Sequence, residues 1–407
     1  MITSKDALRS LAQEAALMPQ EEMLEVGRRK KQLFIGIPKE TSFQENRVAL
    51  TPEAVKLLTS NGNTILIESE AGKKANFTDT DYSEAGAQIV DVTKVYEADI
   101  ILKVAPPFKK EIKMMKTHQT LLSALQLTVH PKDTLELLMQ KKVTAVAWDF
   151  IKDEEGIYPV VRTMGEIAGN TSILIAAEYL SNINEGKGMM FGGIAGVKPS
   201  EVIILGAGTV GENAAQAAIG LGAEVKVFDN SIAKLRRLQQ IIGHKVYTST
   251  VQPDILTEEL RSADVVIGAI RGSKGRTPCI ITDEMVQGMK EGAVIVDVSI
   301  DRGGCFETSE VTNHDHPVFT KHGVIHYCVP NIASRVSRTA SEALSHVFGP
   351  LINEMGNEGG CTNYLKNDPG FRNGIYIFKG TLTNETLGKA FNIPFKDLDL
   401  LFSAFGA

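Results

Sequence analysis

Residues 202–229 read VIILGAGTVGENAAQAAIGLGAEVKVFD, and the order of residue types in this stretch decides the fold. An apolar, β-branched run at 202–205 predicts a buried strand. The turn 206–211, GAGTVG, follows it, then a small-residue helix over 214–220, then a second apolar run at 225–228 that ends on Asp229. Strand, glycine turn, helix, strand and acid is the order of a βαβ unit that binds a dinucleotide. Gly206 allows the tight turn, Gly208 lets a pyrophosphate approach the backbone, and Gly211 lets the helix pack closely on the sheet. Thr209 and Val210 lie in the turn that leads to the helix, whose free N–H groups and positive dipole end favour phosphate. Asp229 lies 18 residues past Gly211 (229 − 211), near the expected spacing of about 20. A carboxylate there accepts hydrogen bonds from the ribose hydroxyls and repels a 2′-phosphate, so the expected cofactor is NAD.

Composition bounds the remainder. A chain of 407 residues predicts two domains of roughly 150–200 residues. Apolar residues make up 43% and charged residues 23%, an ordinary globular balance. The net charge of −6 offers no basic face for nucleic acid. No apolar run approaches the ~18 residues of a membrane span, and the N-terminal stretch lacks a secretory signal. Cys279, Cys305, Cys328 and Cys361 form no CxxC pair, which argues against zinc and dithiol chemistry and fits a reducing cytoplasm.

Working outward, residues 1–32 read as a polar extension with a loose helical period, closed by Arg28-Arg29-Lys30-Lys31. Apolar runs at 33–37, 63–68, 89–90, 100–104, 120–125 and 143–148 predict strands, with helical segments between most of them. Alternation of this kind means a parallel, doubly wound sheet. This unit has no glycine fingerprint and is expected to hold the substrate. A long helix is predicted over 166–181, further strands at 265–269, 294–298 and 324–329, and a second long helix over 334–351; a strand pair closes the tail at 375–378 and after Gly380. The expected fold is therefore α/β, with two doubly wound Rossmann-like domains. The substrate domain takes 33–165 and 338–407, and the NAD-binding domain, 166–337, is inserted into it. Substrate is expected in the cleft between them, at the carboxyl ends of the strands.

Several residues could carry chemistry. Arg47, in the loop QENRVAL at 44–50, could clamp a carboxylate in bidentate fashion; the alternative is an ion pair with Glu40 or Glu45. Lys103 interrupts the apolar run 100–104. It either snorkels to the surface or points inward, where burial would depress its pKa and let it act on a carbonyl. Asp301 follows the run 294–298 in DVSIDRGGC, at a strand end where a doubly wound sheet places ligand contacts. Asp297 competes with it but is expected to pair with backbone. His314 and His316 flank Asp315; without a partner at ligand spacing they read as loop residues and not as metal ligands. His326 and Trp148 read as core.

The segments GIPKETSFQENRVALTP, ILKVAPP, GEIAGN, VIILGAGTVGENAA, VIVDVSIDRGGCFETS and HYCVPN, with TLTN in the tail, occur in that order. Over about 33–384 the chain resembles the alanine dehydrogenase family, which includes the nucleotide-binding subunit of proton-translocating transhydrogenase. The resemblance implies a homo-oligomer (hexamer or dimer) that reversibly deaminates L-alanine to pyruvate and ammonium with NAD, a step of amino-acid catabolism. It assigns the substrate carboxylate to Arg47, the carbonyl oxygen to Lys103 and the catalytic acid beside the nicotinamide to Asp301. Lys234 matches a basic residue near the adenosine and Asn331 an asparagine near the nicotinamide ribose; Ala269 and Ile270 complete the cofactor set. Gln126 stands where the family carries a catalytic histidine. Glutamine can donate a hydrogen bond to the carbonyl oxygen but cannot exchange a proton near neutral pH. Arg271 and Arg276 are further departures. Together with Gln126 they motivate the alternatives, another small amino or oxo acid as substrate or a soluble transhydrogenase-like NAD(H)-binding subunit. Asp301 and Gly303-Gly304-Cys305 favour the dehydrogenase.

Overall fold

A computed structural model describes residues 30–125, 132–272 and 276–404. In chain order its strands are β1 (Phe34–Ile37), β2 (Thr64–Glu68), β3 (Gln88–Val90), β4 (Ile100–Leu102), β5 (Thr120–Ser123), β6 (Thr144–Ala147), β7 (Glu201–Leu205), β8 (Glu224–Phe228), β9 (Tyr247–Ser249), β10 (Val265–Gly268), β11 (Val294–Asp297), β12 (Val318–Lys321), β13 (Val324–Tyr327), β14 (Ile375–Phe378) and β15 (Thr381–Leu382). They form two sheets, each in its own compact unit. Among the described residues no helix is long and apolar enough to cross a membrane.

The first unit holds the sheet β15-β14-β6-β5-β4-β1-β2-β3. Strands β1 to β6 run parallel, while β14 pairs antiparallel with β6 and β15 with β14. The central strands IIL and TAVA are buried at every position. Continuous burial is what a parallel sheet covered on both faces requires.

The second unit holds the sheet β12-β13-β11-β10-β7-β8-β9. All its pairings are parallel except β12 with β13. Chain order climbs outward from β7 in one direction through β8 and β9, then restarts at β10 and climbs the other way. That reversal beside β7 is the topological switch point, and ligands of such sheets bind outside the carboxyl ends of the strands there. The glycine turn of 206–211 occupies this position.

The structure departs from the sequence-based boundaries in identifiable places. The long helix runs Pro159–Tyr179 and not 166–181. At the other crossing a 3₁₀ turn, Ile332–Val336, precedes the helix Ser337–Asn357. Strands β9 and β12, YTS and VFTK, carry few apolar residues and lie half-buried or exposed at the sheet edges, so no apolar run announces them. The second unit consists of Pro159–Ala343 together with Thr41–Arg47, a short segment that the sequence reading assigned to the first. Hydrogen bonds explain the reassignment. The Ser334 hydroxyl donates to Gln44 O (2.7 Å) and accepts from Asn46 N (2.9 Å), and Asn331 Nδ2 donates to Glu45 (2.9 Å).

Helix Pro159–Tyr179 packs on the helix that follows the glycine turn, Thr209–Gly220. At Gly169 a Cβ would lie 2.4 Å from Val210 O. Gly169→Ala forces the helices apart, and overpacking of this kind costs about 1–3 kcal/mol or more. Alanine's better helix propensity returns only about 1 kcal/mol. Thermal or urea unfolding of this variant should show a net loss of stability; a variant as stable as the wild type contradicts the packing.

Candidate active site

The dinucleotide cradle follows from glycine geometry. Gly206 has φ +107°, and a Cβ there would sit 2.5 Å from Ala269 O. A Cβ on Gly211 would fall 1.8 Å from Gly206 O, so the helix rests directly on the turn. At Gly208 a Cβ meets nothing within 4 Å, leaving the open approach a pyrophosphate needs. Thr209, Val210 and Gly211 form the first turn of a 12-residue helix, where N–H groups lack intrahelical acceptors. Asp229 ties the second strand back to the turn, its carboxylate accepting from Ala207 N (2.8 Å) and Ser231 N (2.7 Å). Lys234 Nζ lies 3.8 Å from Asp229. Ala269 N donates to Leu205 O (2.8 Å), placing Ala269 and Ile270 at the end of β10 beside the turn. These residues fit a bound dinucleotide. Arg237, which the sequence reading passed over, also reaches the turn, donating to Ala207 O (3.4 Å) and pairing with Glu212 (3.1 Å).

Two of the residues expected to carry the reaction, Asp301 and Arg47, lie in the same unit. Asp301 sits in the 3₁₀ turn Val298–Arg302 that leaves β11, and accepts from Asn331 N (3.1 Å). Its own surface is exposed, yet protein surrounds it closely. Desolvation raises its carboxyl above the usual range, against the Asn331 N–H and the charges of Arg47 and Arg302. Arg47 is buried. Its Nε donates to Glu45 Oε1 (2.7 Å), an NH2 group to Oε2 (2.6 Å), and NH1 meets Met164 Sδ (3.4 Å). Of the two acids considered for Arg47, it is Glu45 that pairs with it. Burial alone would raise the Glu45 carboxyl; Arg47 and the Asn331 amide outweigh it and hold it below the usual range. Asn331 adopts a left-handed backbone (φ 56°) between Glu45 and Asp301.

Lys103 belongs to the first unit and is 1% exposed. Its Nζ donates to Glu111 Oε1 (2.8 Å) and Glu40 Oε2 (3.1 Å). The glutamates are held in turn, Glu40 by Val104 N and Glu111 by Phe108 N, each at 2.6 Å. Trp148 Nε1 donates to the carbonyls of Lys103 and Val104. The expectation of a depressed lysine is corrected here. Burial does push the ammonium pKa down, but the two carboxylates more than reverse it and hold it above its ordinary value. Lys103 is a charged hydrogen-bond donor, not a base. Glu40, weighed from sequence as a partner of Arg47, is instead a partner of Lys103.

Other candidates resolve as structure. Asp297, 1% exposed, accepts from Ser299 N (3.0 Å), Cys305 N (3.0 Å) and the Ser309 hydroxyl (2.7 Å). His326 is buried between Thr308 Oγ1 (2.8 Å) and Val324 O (2.9 Å). His314 donates its backbone N–H to Gln44 (2.7 Å), and burial, then the Arg335 charge, lowers its imidazole pKa. Arg276 lines a cavity of about 340 Å³ with Cys279 and Glu307. Gln126 lies outside the described residues. Glu45 was weighed from sequence only as an ion-pair partner of Arg47, and Glu111 was missed. An acid two residues before Arg47 was a readable signal for the first; nothing in the spacing of Lys103 and Glu111 announced the second.

Comparison with known proteins agrees with this arrangement. Residues 36–168 match the family described as alanine dehydrogenase/PNT, N-terminal domain, and residues 172–385 its C-terminal domain. Alanine dehydrogenase 2 of Staphylococcus aureus (strain USA300) is 36% identical over 367 residues, 90% of this chain and 98% of that protein. Alanine dehydrogenase of Staphylococcus epidermidis (strain ATCC 12228 / FDA PCI 1200) is 37% identical over the same shares. A solved L-alanine dehydrogenase superposes with TM-score 0.83 at 34% identity, covering 88% of this chain and 99% of that one. A transhydrogenase from Sinorhizobium meliloti, at 24% identity and TM-score 0.74, shares the fold. The chain belongs to the alanine dehydrogenase/PNT family and is an oxidoreductase of the alanine dehydrogenase type.

The buried Asp297 gives a pH test of this loop. Burial pushes its carboxyl up from 3.8 to about 6. Between those values the folded chain holds a proton that the unfolded chain has released, so stability is greatest below the lower value and is lost as pH rises through the upper one. Measured by unfolding, the wild type should therefore lose stability relative to Asp297→Asn as pH rises through that window. A flat difference contradicts the burial of an ionisable carboxyl there.

Proposed function

We propose that this member of the alanine dehydrogenase/PNT family catalyses the reversible, NAD-dependent oxidative deamination of L-alanine to pyruvate and ammonium. The observation that carries the reading is the composition of the second unit. A dinucleotide cradle, a buried arginine and a carboxyl of raised pKa meet in one fold, with Asp301 and the glycine turn both at strand ends of one parallel sheet.

Bound NAD would supply the acceptor for the hydride that leaves the α-carbon. Gly206, Gly208 and Gly211 leave room for its pyrophosphate, and Asp229 receives its ribose. Arg47 holds the substrate carboxylate and so fixes which face of the α-carbon is presented. Once the amine has become an imine, water adds to it. Asp301, in its ionised form, takes the proton from that water and returns it to the departing amine. Lys103, fully charged, donates to the oxygen that develops negative character, an interaction stronger in the transition state than in the ground state. Gln126, in the family's histidine position, would offer that oxygen a hydrogen bond but no proton. The reading carries with it a homo-oligomer, hexamer or dimer, in the cytoplasm.

The test is formation of reduced nicotinamide from L-alanine and NAD, against a panel of other small amino acids. L-Alanine should be the preferred substrate, and protein that binds NAD but turns over no L-alanine overturns the reading. Asp301→Asn should lower kcat by about 10²–10⁴-fold, the usual contribution of general acid–base help, while NAD still binds. Because the ionised form of Asp301 is the working one and its pKa is raised, wild-type turnover should fall as pH drops through a value above the ordinary carboxylate range. Unchanged kcat in the variant would remove Asp301 from the proton steps.

A further inference from the structure

We propose that Glu45 is the positioning residue of this reaction, one carboxylate that orients both the Arg47 clamp and, through Asn331, the acid Asp301. The proposal rests on the reading of the preceding subsection and deepens it.

Glu45 is 3% exposed and its acceptor capacity is full. Oε1 accepts from Arg47 N (3.0 Å) and Arg47 Nε (2.7 Å); Oε2 accepts from an Arg47 NH2 group (2.6 Å) and Asn331 Nδ2 (2.9 Å). A carboxylate offers about four lone-pair sites, and all of them are directed. Neutralising a buried guanidinium would need only the Arg47 contacts. The fourth bond goes elsewhere, to an asparagine in a left-handed backbone conformation, one that asparagine adopts more readily than most L residues. Asn331 is held at both ends, its side chain by Glu45 and its N–H by Asp301 Oδ1 (3.1 Å).

The consequence is a division of labour within one side chain. Two bonds from a planar fork fix the plane of the Arg47 guanidinium, so the Arg47 arm governs how the substrate carboxylate is received. The Asn331 arm governs where the Asp301 carboxyl points. Glu45 touches neither substrate nor cofactor in this account and acts only through those residues.

Three variants separate these arms: Glu45→Gln, Asn331→Gly and the double variant. Glycine accepts the left-handed backbone and removes the side-chain arm, and the NAD KM of the same variant separates this from loss of the contact expected at the nicotinamide ribose. Kinetic constants for L-alanine and NAD are measured beside the wild type. Glu45→Gln should raise the alanine KM and lower kcat, each by about tenfold or more, with the NAD KM within about twofold. Asn331→Gly should lower kcat and leave the alanine KM alone. The double variant should show the kcat of Asn331→Gly and the KM of Glu45→Gln, because the kcat effect of Glu45 runs through Asn331. An unchanged alanine KM in Glu45→Gln, or a kcat loss of equal size in both backgrounds, overturns the proposal. If Glu45→Gln fails to fold, Asn331→Gly decides alone, and an unchanged kcat overturns it. A wild type without alanine turnover overturns the preceding reading instead. The melting temperatures of the same variants then decide this one, since coupled residues give losses that fail to add and independent residues give losses that add.

Discussion

A charge taken out of water must find a partner, and Arg47 and Lys103 are charges taken out of water. Removing one partner of such a pair typically costs about 3–5 kcal/mol, a large part of the stability of an ordinary domain. Both recurring solutions are visible. Arg47 is matched by Glu45, while Lys103 is matched by Glu40 and Glu111 together. The pairing does more than permit burial, because it sets protonation states. Glu45 stays ionised, Lys103 stays charged, and Asp301, with the Asn331 N–H and the charges of Arg47 and Arg302 failing to offset desolvation, has its pKa raised. Within the second unit, Arg47 is fixed by its partner and Asp301 is left adjustable, an arrangement suited to proton transfer.

The second constraint is space at the glycine turn. The helix Thr209–Gly220 can rest on β7 only because Gly206 and Gly211 have no side chains. The same closeness brings helix N–H groups to the open side above Gly208. Strand order then does the rest, for β7 stands beside the reversal point and β10 and β11 deliver Ala269 and Asp301 to the same edge of the sheet.

Much of this was legible in the sequence where the physics is local. The cradle could be read because each glycine answers a backbone requirement within a few residues. The buried parallel strands could be read because continuous apolar runs have few other uses. Asp297 pairs with backbone, as its place at a strand end suggested, and the alternative of an Arg47–Glu45 pair was visible two residues away. What could not be read depends on distant partners. Glu40 lies 63 residues from Lys103, and Glu111, only 8 residues away, gives no sign in the sequence that it turns back onto the lysine, so the lysine's ionisation was read with the wrong sign. The edge strands β9 and β12 lack an apolar run because edge strands need none. Thr41–Arg47 was assigned to the wrong unit because what holds it, Ser334 and Asn331, lies nearly 300 residues on, |i−j| being 288 for Asn46 and Ser334.

The central claim, that a hydride leaves the α-carbon of L-alanine for the nicotinamide held at the glycine turn, is tested most directly with L-alanine deuterated at that carbon. The account predicts that the deuterium appears on the reduced nicotinamide, in step with the pyruvate formed. Deuterium released to water, or pyruvate formed with no label on the nicotinamide, would contradict it.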